Sequence, residues 1–149
     1  MKELNAHIDE SNLEIASRMI MNGADINEEY GIGIRPIIAA INSGNTSILK
    51  FVIENGADLN IDNGKPLREA IDIAIDSMIQ DGLTKPPKNA MDVVKTLLDS
   101  GANFKLKNKE SERPIDIISA YAHNNESFEQ LKSFFRPLIP QIDELIKRN

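Results

Sequence analysis

The residues that could support catalysis or metal binding are few and far apart in this sequence. His7 and His123 are its only histidines, and it contains no cysteine. A metal site needs several ligands that converge on one point. A Ser–His–acid or Cys–His nucleophile needs a base beside it. Two histidines near opposite ends of the chain meet neither requirement, so we expect no metal site, no cofactor and no enzymatic activity.

Two other patterns resemble reactive motifs but lack residues that the chemistry requires. Asp72 and Asp76 form a carboxylate pair one helical turn apart, yet such pairs are common in an acidic chain and do not by themselves indicate acid–base catalysis. The run 31–33, Gly-Ile-Gly, lacks the further glycines and the lysine of a phosphate-binding loop. A catalytic site within residues 76–92 would have Ser77 as its only serine, and the segment contains no histidine or cysteine to accompany it.

The composition is that of a globular protein that binds neither nucleic acid nor membrane. The chain has 149 residues, of which 41% are hydrophobic and 27% are charged. Its net charge of −6 is uneven: residues 1–80 carry −7 and residues 81–149 carry +1. The acidic half would repel nucleic acid and favours a partner protein with a basic surface. No apolar run is long enough for a membrane span and no signal peptide is evident, so a cytoplasmic location is expected.

The elements that would position any functional residue follow from an internal repeat. The segments NGADIN (22–27), NGADLN (55–60) and SGANFK (100–105) are copies of one motif. Gly23 and Gly56 are 33 residues apart, and Gly56 and Gly101 are 45 apart. An apolar pair comes three to four residues before each glycine, which predicts a helix that ends in the left-handed conformation glycine favours.

A proline opens the unit that follows each motif. Pro36, Pro66 and Pro114 each precede a short apolar segment, and proline is favoured in the first turn of a helix. The repeating unit is therefore predicted to be a pair of helices joined by a turn.

On these residues the sequence resembles the ankyrin-repeat family. Residues 35–60, RPIIAAINSGNTSILKFVIENGADLN, follow the family pattern without a gap, although Arg35 and Asn45 replace its usual threonine and histidine. The resemblance implies an all-α fold, an ankyrin-repeat α-solenoid of four to five helix-turn-helix units with short hairpin fingers. Such a solenoid has a long concave surface that suits a protein partner better than a small ligand.

We expect the whole chain, 1–149, to form a single ankyrin-repeat domain. Its predicted parts are an N-terminal cap repeat (1–27), a repeat (28–60), a repeat with an inserted loop at about 79–91 (61–105), a repeat (106–136) and a C-terminal capping helix (137–149). The third part has about fifteen additional residues between its helices, which is either a tolerated loop insertion or part of a binding face. Its finger, which runs from Asn60 to Pro66, is three residues shorter than the other two fingers. The shorter finger is either a notch in the row of fingers or the result of sequence drift in an exposed loop.

Candidate partner-binding residues lie on the predicted fingers and on the first helix of the third part. Exposed aromatic and aliphatic side chains on the first finger suit a contact hot spot. In an extended arm, the lysines of the last finger would lie on one side, either as a contact surface or as an ordinary solvated face. The acidic helix face is either the floor of the groove or an ordinary solvated face. The candidate residues are Glu28, Glu29, Tyr30, Ile32, Arg68, Glu69, Asp72, Asp76, Lys105, Lys107 and Lys109.

The sequence therefore predicts a non-catalytic protein–protein interaction module that binds through its concave groove and finger tips. Small acidic bacterial members of the family include immunity-type inhibitors of a basic toxin, and this is the specific hypothesis. The alternatives are a host-directed bacterial effector or adaptor and a self-associating assembly protein, although a monomer is expected.

Overall fold

A computed structural model of the chain describes residue 4 and residues 13–29 and 34–147. These residues form helices and connections, with no strand among them. The helices are α1 (Leu13–Met21), α2 (Pro36–Ser43), α3 (Thr46–Glu54), α4 (Ile61–Gln80), α5 (Lys88–Asp99), α6 (Asp116–Tyr121), α7 (Asn125–Phe135) and α8 (Ile142–Leu145). Of the N-terminal cap repeat predicted at 1–27, the structure describes residues 13–27 and Leu4, which is fully buried.

The helices pack as successive pairs. Helices α2 and α3, α4 and α5, and α6 and α7 each form a pair, and the first helices α2, α4 and α6 lie side by side. The second helices α3 and α5 also pack on each other. One hydrophobic core runs through these pairs, because each helix turns its apolar stripe toward the neighbouring pair.

Glycines end the second helices in the way that the motif predicts. Gly23, Gly56 and Gly101 have φ angles of 98°, 95° and 106°. At the end of α3, the N–H groups of Gly56 and Ala57 donate to carbonyl groups of the last turn over 3.0 and 3.1 Å. This pair of bonds is a Schellman motif, which requires the left-handed backbone that glycine adopts without a steric cost.

The asparagine that ends each of the first two motifs joins one unit to the next. Asn27 Oδ1 accepts a hydrogen bond of 2.7 Å from the backbone N–H of Asp58. Asn60 Oδ1 accepts one of 2.8 Å from the N–H of Asn103. In the third copy the position is Lys105, whose ammonium group has no acceptor. The series of asparagine links therefore ends there.

Asn45 accounts for one departure from the repeat pattern. Its Oδ1 accepts hydrogen bonds from the N–H groups of Ser47 (2.8 Å) and Ile48 (3.3 Å) at the start of α3. Asparagine is among the best N-cap residues because it satisfies helix-end donors in this way. The change from histidine thus gives the second helix a side-chain cap.

Helix α4 begins with an unusual turn and extends further than its neighbours. Asp62, Asn63 and Gly64 all have left-handed backbone angles, so the regular helix starts only after them. From there α4 continues to Gln80, whereas α2 has 8 residues and α6 has 6. Much of the additional sequence of this unit is therefore helix, and residues 81–87 form the connection to α5.

The C-terminal segment closes the core. Ile139, Ile142 and Ile146 are 1%, 0% and 3% exposed. The Arg113 guanidinium reaches this segment and donates from Nη2 to the carbonyl of Leu145 at 2.8 Å. The segment predicted as a C-terminal capping helix (137–149) therefore packs its isoleucines into the core, although the helix itself spans only Ile142–Leu145.

Lys132 is a buried cation beneath this closing segment. Its Nζ atom lies 2.9 Å from Asp143, 3.0 Å from Glu129 and 4.6 Å from the ring centre of Phe128. Burial alone would lower the pKa of Lys132, but the hydrogen bonds to the two carboxylates outweigh that effect and raise it. The ammonium group stays charged and holds α7 to α8.

Candidate functional site

Three carboxylates form a row along the exposed face of α4. Glu69, Asp72 and Asp76 are half-buried and lie at helical spacing on the side opposite the buried Leu67 and Ala74. We call these three residues the acidic row. None of them forms an ion pair with a lysine or arginine in the part of the chain that the structure describes. Because α4 lies between α2 and α6, the structure brings these three predicted site residues together at the centre of the surface formed by the first helices.

Asp72 is held in place by the neighbouring first helix. The hydroxyl of Tyr121 in α6 donates a hydrogen bond of 2.7 Å to Asp72 Oδ1. The pKa of Tyr121 lies well above its ordinary value. The largest cause is the burial of the phenol, and the hydrogen bond to Asp72 is the second. Tyr121 was missed by the sequence analysis, since no pattern within the sequence relates two residues that are 49 positions apart.

Arg68 binds the backbone of two connections. Its Nη2 atom donates to the carbonyl of Glu112 at 3.2 Å and to that of Asn63 at 3.4 Å. These bonds link the turn at the start of α4 to the last finger. In the structure Arg68 therefore joins two parts of the fold, and whether it also contacts a partner stays a prediction.

Arg35, at the position of the family threonine, makes an ion pair that the sequence analysis did not foresee. Its Nε and Nη2 atoms donate to the two carboxylate oxygens of Asp62 over 2.8 and 3.1 Å. Its Nη1 atom donates to the carbonyl of Asn27 at 2.8 Å, and Glu29 lies 3.7 Å away. The hydrogen bonds from Arg35, opposed by partial burial, lower the pKa of Asp62. Arg35 thus ties the first finger to the left-handed turn before α4.

The first finger is only partly described. Glu28 is exposed, and Glu29 is exposed and faces Arg35. Tyr30 and Ile32, the predicted hot-spot residues, lie outside the described residues. Their role in binding stays a prediction.

The last finger differs from the extended arm expected for its lysines. Lys105 and Lys107 are exposed, and Lys105 Nζ lies 5.9 Å from the ring centre of Phe104. The backbone turns at Asn108, whose Oδ1 accepts hydrogen bonds from the N–H groups of Glu110 and Glu112, both at 2.9 Å. Lys109 therefore lies within a turn, which corrects the expectation that three lysines would follow one side of a straight segment.

The described residues contain no cluster suited to metal chemistry or to a membrane span. No group of three or more histidine, aspartate or glutamate residues in ranges 13–29 and 34–147 is arranged to hold a metal ion. His123 is exposed in the connection between α6 and α7, and His7 lies outside the described ranges. None of the helices described is long and apolar enough to cross a bilayer.

Comparison with known proteins agrees with the fold. Residues 4–108 match the profile of a family described as ankyrin repeats (3 copies). Among solved structures, the chain is similar to the crystal structure of the ankyrin repeat domain of Bcl-3, described as a unique member of the IkappaB protein family. That match has 21% identity and a TM-score of 0.59, and it covers 87% of this chain and 50% of that one. The chain spans half the length of the structure that it matches, and the likeness shows the fold alone. No curated protein matches the chain. The predicted all-α, ankyrin-repeat fold class is thereby confirmed.

Proposed function

The chain belongs to the ankyrin-repeat family, and on that premise we propose that it binds a partner protein on the surface formed by α2, α4 and α6. Repeats of this kind bury their core between neighbouring units and leave one continuous surface of first helices, which suits a protein partner. The partner-binding residues proposed here are those of the acidic row, with the exposed residues of the two fingers beside them.

The single observation that carries the proposal is the acidic row itself. Glu69, Asp72 and Asp76 place three carboxylates on one helix face, and none of them forms an ion pair among the described residues, although Lys65 and Arg68 lie near Glu69. Like charges one turn apart on a helix are mildly destabilising, so their presence costs the free protein a little stability. A partner that brings lysine or arginine to this face would remove that repulsion and gain charge-assisted hydrogen bonds.

The specific form of the proposal is a bacterial immunity protein that neutralises a basic toxin in the cytoplasm. It is supported by the excess of acidic residues in the first 80 positions, where the charge is −7. Electrostatic attraction of this kind speeds association and weakens as salt screens the charges.

The test compares two variants that change the net charge equally on different faces. Glu69→Lys with Asp76→Lys reverses two charges of the acidic row and leaves the bond between Tyr121 and Asp72 intact. Glu54→Lys with Glu126→Lys reverses two exposed carboxylates on the second helices α3 and α7. Each tagged protein is used to capture partners from the lysate of its own source at low salt and at about 0.5 M salt, where screening is strong.

We expect the wild type and the control pair to retain one basic protein in stoichiometric amount at low salt, and the acidic-row pair to lose it. Capture that is equal for both variants, or unchanged at high salt, would contradict binding through the acidic row. Capture from a host-cell lysate but not from the native one would favour a host-directed effector. A concentration-dependent mass in light scattering, without any captured protein, would favour self-association.

A further inference from the structure

A cavity opens beside the acidic row, between the first pair of helices and the second. It has a volume of about 220 Å³. Its apolar wall comes from α2, α4 and α5, and its rim carries small uncharged polar groups. The apolar residues are Ile41, Ala70, Ile73, Ala90 and Val93. We call this space the side cavity.

The additional residues of the third repeat build part of this cavity. The first helix of the second repeat reaches its turn eight residues after Pro36, and the same distance from Pro66 ends at Ala74. Ser77 lines the cavity and lies in the part of α4 beyond that point, whereas Pro87 and Asn89 line it from the start of α5. The longer α4 therefore contributes Ser77 to the wall of the cavity.

The size of the cavity indicates what it can hold. Pockets for drug-sized ligands are typically about 300–1,000 Å³, and the side cavity is smaller at about 220 Å³. An apolar cavity of roughly 150 Å³ is enough to bind benzene. By volume, the side cavity has room for one large aliphatic or aromatic side chain. None of the residues that line it carries a charge, so a charged group that entered would lose its hydration without an ionic partner.

The surroundings of the cavity indicate what must flank that side chain. Ile73 and Ser77 line the cavity, and Asp72 and Asp76 directly precede them on α4. Glu69 lies one turn before Ile73, and residues so spaced on a helix are about 5–6 Å apart. A partner segment whose apolar side chain enters the cavity thus has its neighbouring residues beside three carboxylates.

We propose that the side cavity receives a single large apolar side chain of the partner protein, flanked by lysine or arginine residues that bind the acidic row. This inference rests on the proposed function and adds the recognition chemistry. The apolar side chain supplies buried contact at the centre of the interface, and the flanking cations supply orientation.

The experiment uses a phage-displayed library of random dodecapeptides selected on the full chain. Enriched peptides are synthesised with a fluorescent label, and their dissociation constants are measured by anisotropy. Ser77→Leu fills the cavity with a side chain that favours helix. Ser47→Leu, on the exposed face of α3, is the matched control. Ser43→Leu, at the exposed rim of the cavity, is a second filling variant if Ser77→Leu does not fold.

The expected result is that enriched peptides share a large apolar residue next to lysine or arginine. Ser77→Leu weakens their binding by roughly tenfold or more, and Ser47→Leu leaves it unchanged. Glu69→Lys with Asp76→Lys weakens it as well, and replacing the apolar residue of the peptide by alanine has the same effect.

Other outcomes would overturn the inference in distinguishable ways. Peptides that bind the filled variants as well as the wild type, but not the acidic-row variant, would refute the cavity proposal and leave the proposed function standing. Peptides that bind both kinds of variant as tightly as the wild type would count against the cavity proposal and against the proposed function. A selection that enriches no peptide would count against both in the same way. Peptides that lack basic residues and depend on the cavity alone would refute the role of the acidic row.

Discussion

The side-chain oxygen of Asn60 lies 2.8 Å from the backbone nitrogen of Asn103, and this hydrogen bond joins two units across 43 positions of sequence. Asn27 forms the equivalent bond with the N–H of Asp58 and also donates from Nδ2 to the carbonyl of Gly56 at 3.3 Å. The two asparagines occupy the same place in the motif but use their amides differently. Asn27 both accepts and donates a hydrogen bond, whereas the side chain of Asn60 only accepts one among the described residues.

This difference predicts unequal effects of aspartate at the two positions. Asn27→Asp keeps the acceptor but loses the donor and faces a carbonyl oxygen, so it should lower the free energy of unfolding by about 1–2 kcal/mol. Asn60→Asp keeps the acceptor bond to Asn103, the one bond of this side chain within the described part of the chain, and should cost about 0.5 kcal/mol or less. Urea unfolding followed by circular dichroism measures both, with the two alanine variants as controls. Equal losses for the two aspartates would show that the amide donor of Asn27 contributes nothing.

The ion pair between Arg35 and Asp62 predicts a pH dependence of stability. The folded-state pKa of Asp62 is lowered, with the hydrogen bonds from Arg35 as the largest cause. Its contribution is therefore fully present above the ordinary aspartate pKa and is lost as the pH falls through the lower folded value. A double-mutant cycle of Arg35→Met and Asp62→Asn should give a coupling of about 0.5–1 kcal/mol at neutral pH, because partly exposed pairs are screened by solvent. The coupling should vanish in strong acid, and a value independent of pH would contradict the ionic nature of this contact.

Gly64 is expected to tolerate a side chain less well than Gly23. Its φ is 91°, and an added Cβ would lie 3.1 Å from Pro114 Cγ. Gly23 has a similar φ of 98° with nothing within 4 Å of that point. Gly23→Ala should cost about 1 kcal/mol from backbone strain alone, and Gly64→Ala about 2 kcal/mol or more. Thermal unfolding of both variants, with Gly64→Ala repeated in a Pro114→Ala background, separates the two causes. If the Pro114→Ala background recovered none of the excess cost, contact with Pro114 would not be its source.

Tyr121 should resist ionisation in the folded chain. Burial and the hydrogen bond to Asp72 raise its pKa above the ordinary value. The folded state thus prefers the protonated phenol, and its contribution to stability is present below the unfolded pKa and is lost as the pH rises beyond it. In a Tyr30→Phe background Tyr121 is the sole tyrosine, so absorbance at the phenolate band reports it alone. The native protein should show the band only at more alkaline pH than the urea-unfolded protein, and coincident curves would contradict the hydrogen bond.

A Tyr121→Phe variant tests the same bond through stability. Removing a hydroxyl that donates to a carboxylate should cost about 1–2 kcal/mol in the free energy of unfolding. Tyr121→Phe in an Asp72→Asn background is the control, and it should cost less because the acceptor there is no longer charged. Equal costs in both backgrounds would indicate that the charge of Asp72 does not strengthen the contact.

The repeated elements of the fold were determined by the sequence alone. The glycine after each apolar pair, the proline before each short helix and the spacing of 33 residues between Gly23 and Gly56 predict the helix pairs. They do so because helix ends and helix starts depend on a few neighbouring residues whose backbone preferences are local. The apolar stripes that bury the core are local patterns for the same reason.

Only the tertiary structure decided which side chains meet across units. Arg35 reaches Asp62 across 27 positions, and Tyr121 reaches Asp72 across 49. The side cavity likewise combines residues of α2, α4 and α5. These relationships depend on how far one unit is shifted and rotated against the next, which is set by the packing of the whole core. A long α4 was foreseeable from its apolar stripe, but the side cavity that its additional residues complete required the position of α2 beside it.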